Sequence, residues 1–253
     1  MTRMIQLIAT DLDGTLLNAE SDLSPRTEEA LKRIMTAGVG VALSSGRMVE
    51  AMLPFAERIG VNAPMILYNG ALLYDHRTRE TLYENALPEA LSRQIAELLE
   101  EMGVYFQIYP GRGYYCREIT SDTRAYESFI HVPCEPVHQP LSTWMRGSML
   151  KMLAIVEVGL IDRVRERLQE LFPGKATFMK SHPTYLEIVA QGIDKGVALR
   201  ALAGRLGIPI ENVMAFGDGG NDESMIEAAG VGVAMENATE GCKRAAKLIA
   251  PAH

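Results

Sequence analysis

Ile5-Gln6-Leu7-Ile8-Ala9-Thr10-Asp11-Leu12-Asp13-Gly14-Thr15-Leu16-Leu17 is the stretch from which the fold of this chain is read. It opens as a short apolar run with the length and branched content of a buried strand. It closes on two aspartates one residue apart. Side chains alternate faces in an extended chain, so Asp11 and Asp13 project together from the carboxyl end of that strand. Two carboxylates in one place repel each other and lose hydration, and a fold tolerates them where a cation or a proton offsets the cost. Gly14 then permits a turn that a β-carbon would resist. Taken alone, the pair reads as an acidic turn with Thr15 as a cap, and the rest of the chain decides between the two readings.

Outward from this stretch the pattern alternates. Ser24 and Pro25 mark a helix start, with apolar spacing through Ala30, Leu31, Ile34 and Met35. Residues 39–43 form a second apolar run that stops at Ser44-Ser45-Gly46-Arg47, and a helix is expected over 49–59, bent near Pro54. Met65–Tyr68 is a third strand, ending at Asn69-Gly70-Ala71. From about Thr81 the grammar changes to an amphipathic helix (88–102), a hairpin (104–109 and 113–116), a short helix (122–130), a Pro- and His-bearing loop (131–140), a strand, a helix and two further strands. The alternation resumes with a helix from Lys195, a strand 212–216, the turn Gly217-Asp218-Gly219-Gly220-Asn221-Asp222, a strand 230–235, a helix 237–247 and a last short strand 248–250. The expected fold is therefore α/β: a doubly wound parallel sheet from residues 1–82 and 189–253, interrupted by an inserted α+β domain, 83–188. Ligands of such sheets bind outside the carboxyl ends of the strands, where Asp11, Asp13, Ser44 and Asn69 all fall.

Composition narrows the function. The 253 residues carry a net charge of −7 and no basic stripe, which argues against a nucleic-acid partner. Cys116, Cys134 and Cys242 are odd in number and widely spaced, suiting a reducing cytoplasm better than a disulfide framework or a zinc site. The first apolar run is too short for a signal peptide and meets Asp11 at once, and no stretch has the length of a membrane span. A cytoplasmic protein, monomeric or a small homo-oligomer, is expected.

Asp11/Asp13, Ser44, Lys195 and Asp218/Asn221/Asp222 thus gather at strand ends or helix starts of one sheet. Each has an ordinary reading by itself: a turn, a cap, a surface lysine. Their joint order and placement favour chemistry. Four carboxylates with no nearby His or Cys offer oxygen ligands only, which selects a hard ion such as Mg²⁺. A serine hydroxyl in a loop beside Gly46 and the point charge of Lys195 suit the oxygens of a phosphoryl group. A carboxylate can attack phosphorus, and a second carboxyl can protonate the leaving oxygen and then deprotonate water. The partner expected is a small-molecule phosphate ester.

On these residues the chain resembles the haloacid dehalogenase superfamily, and most of all its Cof-type sugar-phosphatase branch with a large cap between the second and third motifs. The resemblance rests on Asp11-Leu12-Asp13-Gly14-Thr15-Leu16-Leu17, Ser44-Ser45-Gly46-Arg47, Asn69-Gly70-Ala71, Lys195-Gly196 and Gly217-Asp218-Gly219-Gly220-Asn221-Asp222 with Met225, and it covers nearly the whole chain. It implies Asp11 as nucleophile and Asp13 as general acid/base. It implies Mg²⁺ held by Asp11, Asp218 and the backbone carbonyl of Asp13, with Asp222 in support. Ser44, Lys195 and Asn221 would hold phosphate, and Asn69, Gly46 and Arg47 would line the entrance. The expected activity is a Mg²⁺-dependent phosphatase of small phosphorylated metabolites such as sugar phosphates, acting through an aspartyl-phosphate. A phosphomutase, or a non-catalytic metabolite-binding regulator on the same scaffold, is the alternative; a dehalogenase would need neither the metal cluster nor an acid at Asp13. Members of the branch usually continue beyond the position of Ala250, whereas this chain stops at Ala252-His253, an expected difference at the last sheet edge. In the insertion, Tyr185 and Glu187 share a strand face just after Ser181 and His182 and could reach a leaving group, although ordinary packing is the favoured reading.

Overall fold

The apolar run becomes β1 (Leu7–Asp11), every residue of it buried, and the strand extends to Asp11 itself. The computed structural model describes residues 4–18 and 20–251; the Ala252-His253 end singled out above lies outside them. Ser24 accepts a hydrogen bond from the Thr27 N–H and Pro25 takes the first position of α1 (Pro25–Thr36), as N-cap chemistry dictates. Next come β2 (Gly40–Ser44), α2 (Val49–Ile59), β3 (Met65–Leu67), β4 (Leu72–Asp75) and β5 (Glu80–Glu84). There follow α3 (Glu89–Glu101), β6 (Tyr105–Tyr109), β7 (Tyr115–Cys116), α4 (Ser121–Ile130), β8 (Glu135–Pro136), α5 (Leu141–Trp144), β9 (Lys151–Ile155), α6 (Ile161–Leu171), β10 (Ala176–His182) and β11 (Tyr185–Ala190). The chain ends with α7 (Lys195–Arg205), β12 (Val213–Gly217), α8 (Glu223–Ala228), β13 (Val231–Met235), α9 (Glu240–Ala245) and β14 (Leu248–Ala250).

Two compact units result. One comprises Met1–Gly46, Met52–Tyr83 and Asp194–His253; the other comprises Arg47–Ala51 and Glu84–Ile193. The first is built on an eight-stranded sheet, ordered β14-β13-β12-β1-β2-β3-β4-β5. Its central pairs are parallel, as a doubly wound sheet requires. β3 and β4 pair antiparallel, so the edge departs from that pattern. Neither β4 nor β5 was expected from sequence. Leu72, Leu73 and Tyr74 follow the Asn69-Gly70-Ala71 turn, and in sequence they look like its continuation. Leu7, Ala9, Ala42, Ile66, Val213 and Ala215 of the sheet pack against Ala198, Leu199, Leu202 and Ala203 of α7 in one apolar core.

The register places the chemistry. Asp11 pairs with Ser44 across β1 and β2, and Thr10 pairs with Phe216 across β1 and β12. Asp11, Ser44 and Gly217 therefore end three adjacent parallel strands.

The second unit holds a six-stranded sheet, ordered β10-β11-β9-β6-β7-β8. The pairs among β10, β11, β9, β6 and β7 are antiparallel; β7 and β8 are parallel. Its core gathers Ile95 and Leu99 of α3, Ile161 and Leu168 of α6, and Ile108, Met152, Leu186 and Ile188 of the sheet. β8 and α5 form where the sequence suggested a loop and no helix; both are too short to carry a readable period.

Candidate active site

Lys195 is the first residue of α7, whose N-cap Asp194 accepts from the Val197 N–H. Its side chain is fully buried, which an ammonium tolerates only among acceptors. It has three: Asp11 Oδ1 at 2.6 Å, Asp222 Oδ1 at 2.6 Å and the Ser44 carbonyl at 3.3 Å. One lysine thus ties together the ends of β1 and β2 and the start of α8. Gly196 is what lets α7 come so close. A β-carbon there would lie 2.3 Å from the Ser224 carbonyl oxygen.

Asp222 is the second hub. Its Oδ2 accepts from the backbone N–H groups of Asp218 and Gly219, each at 3.0 Å. Asp218 is held from the other side. Thr15 donates to its Oδ1 at 2.7 Å, and Gly14, at φ +81°, sits so near that a β-carbon would lie 2.5 Å from its Oδ2. Thr15 is therefore not a local cap. It joins the first loop to a turn 203 residues later, and nothing near it in sequence signals that partner.

Carboxylate oxygens of Asp11, Asp218 and Asp222 lie within 4.8 Å of one another. Asp13, half-buried, does not bring its carboxylate into this group. Burial, followed by the neighbouring Asp222, holds the Asp11 carboxyl well above the ordinary range despite Lys195. Burial pushes Asp218 up to about 6, against the hydrogen bond from Thr15. Burial by itself would lower the pKa of Lys195, but Asp11 and Asp222 raise it. A hard cation fits this set: the donors are all oxygens, and a positive charge offsets the burial and the mutual repulsion that raise the two acids.

Beside the acids are two buried donors without a hydrogen-bond partner among the described residues, Ser44 Oγ and Asn69 Nδ2. Asn69 lies in a single 3₁₀ turn, Tyr68–Gly70, at φ 56°, a left-handed conformation that Asn adopts more readily than most residues. Its Oδ1 accepts from Asn221 Nδ2 at 2.9 Å, so these two residues, both read from sequence as ligand-binding, meet. A β-carbon on Gly46 would lie 2.9 Å from Asn69 Oδ1, which places the Ser44 loop against the same amide. Unsatisfied buried donors cost free energy, and an anion accepting from them recovers it. Arg47 groups with the inserted unit, its guanidinium 4.5 Å over the Phe129 ring and donating to the Phe129 carbonyl at 3.3 Å.

In the inserted unit Glu187 is buried and ion-paired with Lys151 at 3.0 Å, and Ser181 donates to it at 3.0 Å. His182 contacts Thr184 through Nδ1 at 2.9 Å.

The family model for haloacid dehalogenase-like hydrolases matches residues 8–253. The chain is 32% identical to the putative phosphatase YxeH of Bacillus subtilis, over 93% of this chain and 88% of that one. It is 30% identical to the pyridoxal phosphate phosphatase YbhA of Escherichia coli, over 96% and 92%. The crystal structure of a haloacid dehalogenase-like hydrolase from Bacteroides thetaiotaomicron superimposes with a TM-score of 0.88 at 32% identity, covering 98% of this chain and 94% of that one.

Proposed function

This chain belongs to the haloacid dehalogenase-like hydrolase family, and on that premise we propose that it is a Mg²⁺-dependent phosphatase of small phosphate monoesters, sugar phosphates or similar metabolites. The observation that carries this reading is the pairing of a three-carboxylate cluster with buried unsatisfied donors around Lys195. The first suits a cation and the second an anion, and a phosphate ester with its metal supplies both. The relatives named phosphatases, YbhA among them, support the reaction class and a small substrate.

Asp11 and Asp218 would hold Mg²⁺ with the backbone carbonyl of Asp13, and Asp222 would support them. Bound there, the cation would neutralise charge on the transferring group. Ser44 Oγ, Asn69 Nδ2, Asn221 and Lys195 bind the phosphate oxygens. Gly46 and Arg47 are assigned to the approach to the site. Lys195 occupies Asp11 Oδ1, which leaves Oδ2 as the attacking atom. The Asp11–phosphorus bond forms as the ester bond breaks, and the leaving oxygen takes its proton from Asp13. Water then attacks the aspartyl-phosphate, gives a proton to Asp13, and phosphate leaves as Asp11 is regenerated. Asp13 suits the proton-carrying role because its carboxylate stands outside the converging three.

The test is hydrolysis of p-nitrophenyl phosphate and a panel of sugar phosphates, with Mg²⁺ and with EDTA. The wild type turns over only with the metal, and Asp11→Asn is inactive. A wild type inert across the panel, or an Asp11→Asn variant as active as wild type, overturns the reading.

A further inference from the structure

Three donors within six residues reach from the end of β13 and from α9 onto the two loops that carry the acids. Asn237 Nδ2 donates to the Gly14 carbonyl at 2.9 Å. The Thr239 N–H donates to the Asp218 carbonyl at 2.9 Å. The buried Cys242 thiol donates to the Gly219 carbonyl at 2.9 Å. The segment is itself braced. The Ala238 N–H turns back to the Met235 carbonyl, and Thr239 Oγ1 accepts from the Cys242 N–H at 3.3 Å. β13 reaches this point because Ala234 pairs with Gly217, one residue before Asp218.

We propose that Asn237, with Thr239 and Cys242, is a positioning strap that fixes the Asp13–Thr15 loop against the Asp218 turn. The Gly14 carbonyl shares its peptide plane with the Thr15 N–H, so holding that oxygen sets the Gly14–Thr15 peptide, one residue beyond Asp13. Thr15 in turn holds Asp218. The strap therefore sets the distance between the proton-carrying acid and a metal-binding acid. All three bonds end on backbone carbonyls of the two loops, so the role is positioning and not catalysis. Asn237 is exposed. Its amide buries little surface, and its loss removes a direction from the loop without opening a cavity.

This inference rests on the phosphatase reading, and its test separates the two. In Asn237→Ala, kcat falls about five- to tenfold, the worth of one hydrogen bond felt in the transition state. KM for p-nitrophenyl phosphate stays within about twofold, and the melting temperature hardly moves, as for other surface substitutions. Asn237→Asp, the same shape without the donor, loses at least as much. Titration of Mn²⁺ into substrate-free protein, followed by the electron paramagnetic resonance of free Mn²⁺, shows several-fold weaker binding in Asn237→Ala, an expected loss of outer-shell support. A kcat within twofold of wild type overturns the strap. So does a loss of activity accompanied by a lowered melting temperature and unchanged Mn²⁺ affinity, which is ordinary packing. An inert wild type ends the phosphatase reading instead, while the Mn²⁺ titration still decides the strap.

Discussion

Asp222 grips Lys195 at 2.6 Å with one carboxylate oxygen while the other accepts from two consecutive backbone N–H groups, those of Asp218 and Gly219. Three of its lone-pair positions are thereby used inside the protein. Asp222 thus links the lysine to the Asp218 turn.

Asp222→Asn keeps an oxygen for the two backbone donors and turns an amide N–H₂ toward the ammonium. Activity is expected to fall about ten- to a hundredfold, the usual effect of removing an outer-shell carboxylate. The loss appears mainly in kcat, because Lys195 no longer faces Asp11 at the right angle. Steady-state kinetics on p-nitrophenyl phosphate check this. A variant with wild-type kcat would show that Asp11 and the Ser44 carbonyl hold Lys195 unaided.

Asp11, Ser44 and Lys195 were legible in the sequence because each sits where an apolar run stops or a helix starts, and open parallel sheets put those places on one edge. Asp218 was legible through its Gly-rich turn. The contacts that orient these residues were not. Thr15 and Asn237 meet partners more than 200 positions away, and no local period encodes such a distance. The left-handed backbone of Tyr68 and Asn69 was half visible: Asn tolerates it, Tyr does not advertise it. β4 and β5 were hidden for a different reason. They extend the sheet past β3, where β4 runs antiparallel, outside the strand–helix rhythm from which the other strands were read.

Two glycines of α7 make opposite predictions. Gly196→Ala would put a methyl group 2.3 Å from the Ser224 carbonyl oxygen, so α7 and α8 must separate. Overpacking of this kind costs about 1–3 kcal/mol, and the adjacent Lys195 moves with the helix, so activity falls with stability. Gly204→Ala, in the same helix, meets nothing within 4 Å. It stabilises by about 0.4–1 kcal/mol through helix propensity and a less free unfolded chain. Urea denaturation of both variants checks the pair. Equal effects would sink the close-approach argument.

The acids set a pH dependence on metal. Asp218 rises from an ordinary 3.8 to about 6 in the fold, and Asp11 rises well above 3.8 too. A carboxyl with a raised pKa binds its proton more tightly folded than unfolded. Its contribution is therefore fully present below about 3.8 and is lost as pH rises through about 6. The metal-free protein accordingly loses stability over that interval. A divalent cation binds the ionised forms, so the rise in melting temperature from Mg²⁺ is small near pH 5 and larger near pH 7. Melts with Mg²⁺ and with EDTA at both pH values test this. A shift at pH 5 that equals the one at pH 7 would rule out these two acids as its source.

The inserted unit carries its own electrostatic commitment. Lys151 is fully buried, its ammonium 3.0 Å from Glu187 and 4.5 Å from the centre of the Tyr109 ring, and Ser181 satisfies the other glutamate oxygen. Desolvation makes such a pair weak evidence for stability, but removing one partner strands the other. Glu187→Gln leaves a buried ammonium facing a neutral amide and is expected to cost about 3–5 kcal/mol. The double change Lys151→Met with Glu187→Leu removes both charges and is expected to be close to neutral by comparison. The contrast distinguishes a pair kept for packing from one kept for a ligand. If packing is its whole role, the double variant retains stability and its substrate profile. If it retains stability and loses discrimination among phosphate esters, the pair serves specificity. Denaturation midpoints and activity on the same ester panel, measured on both variants, decide between them, and a Glu187→Gln variant within about 1 kcal/mol of wild type would contradict the burial argument itself.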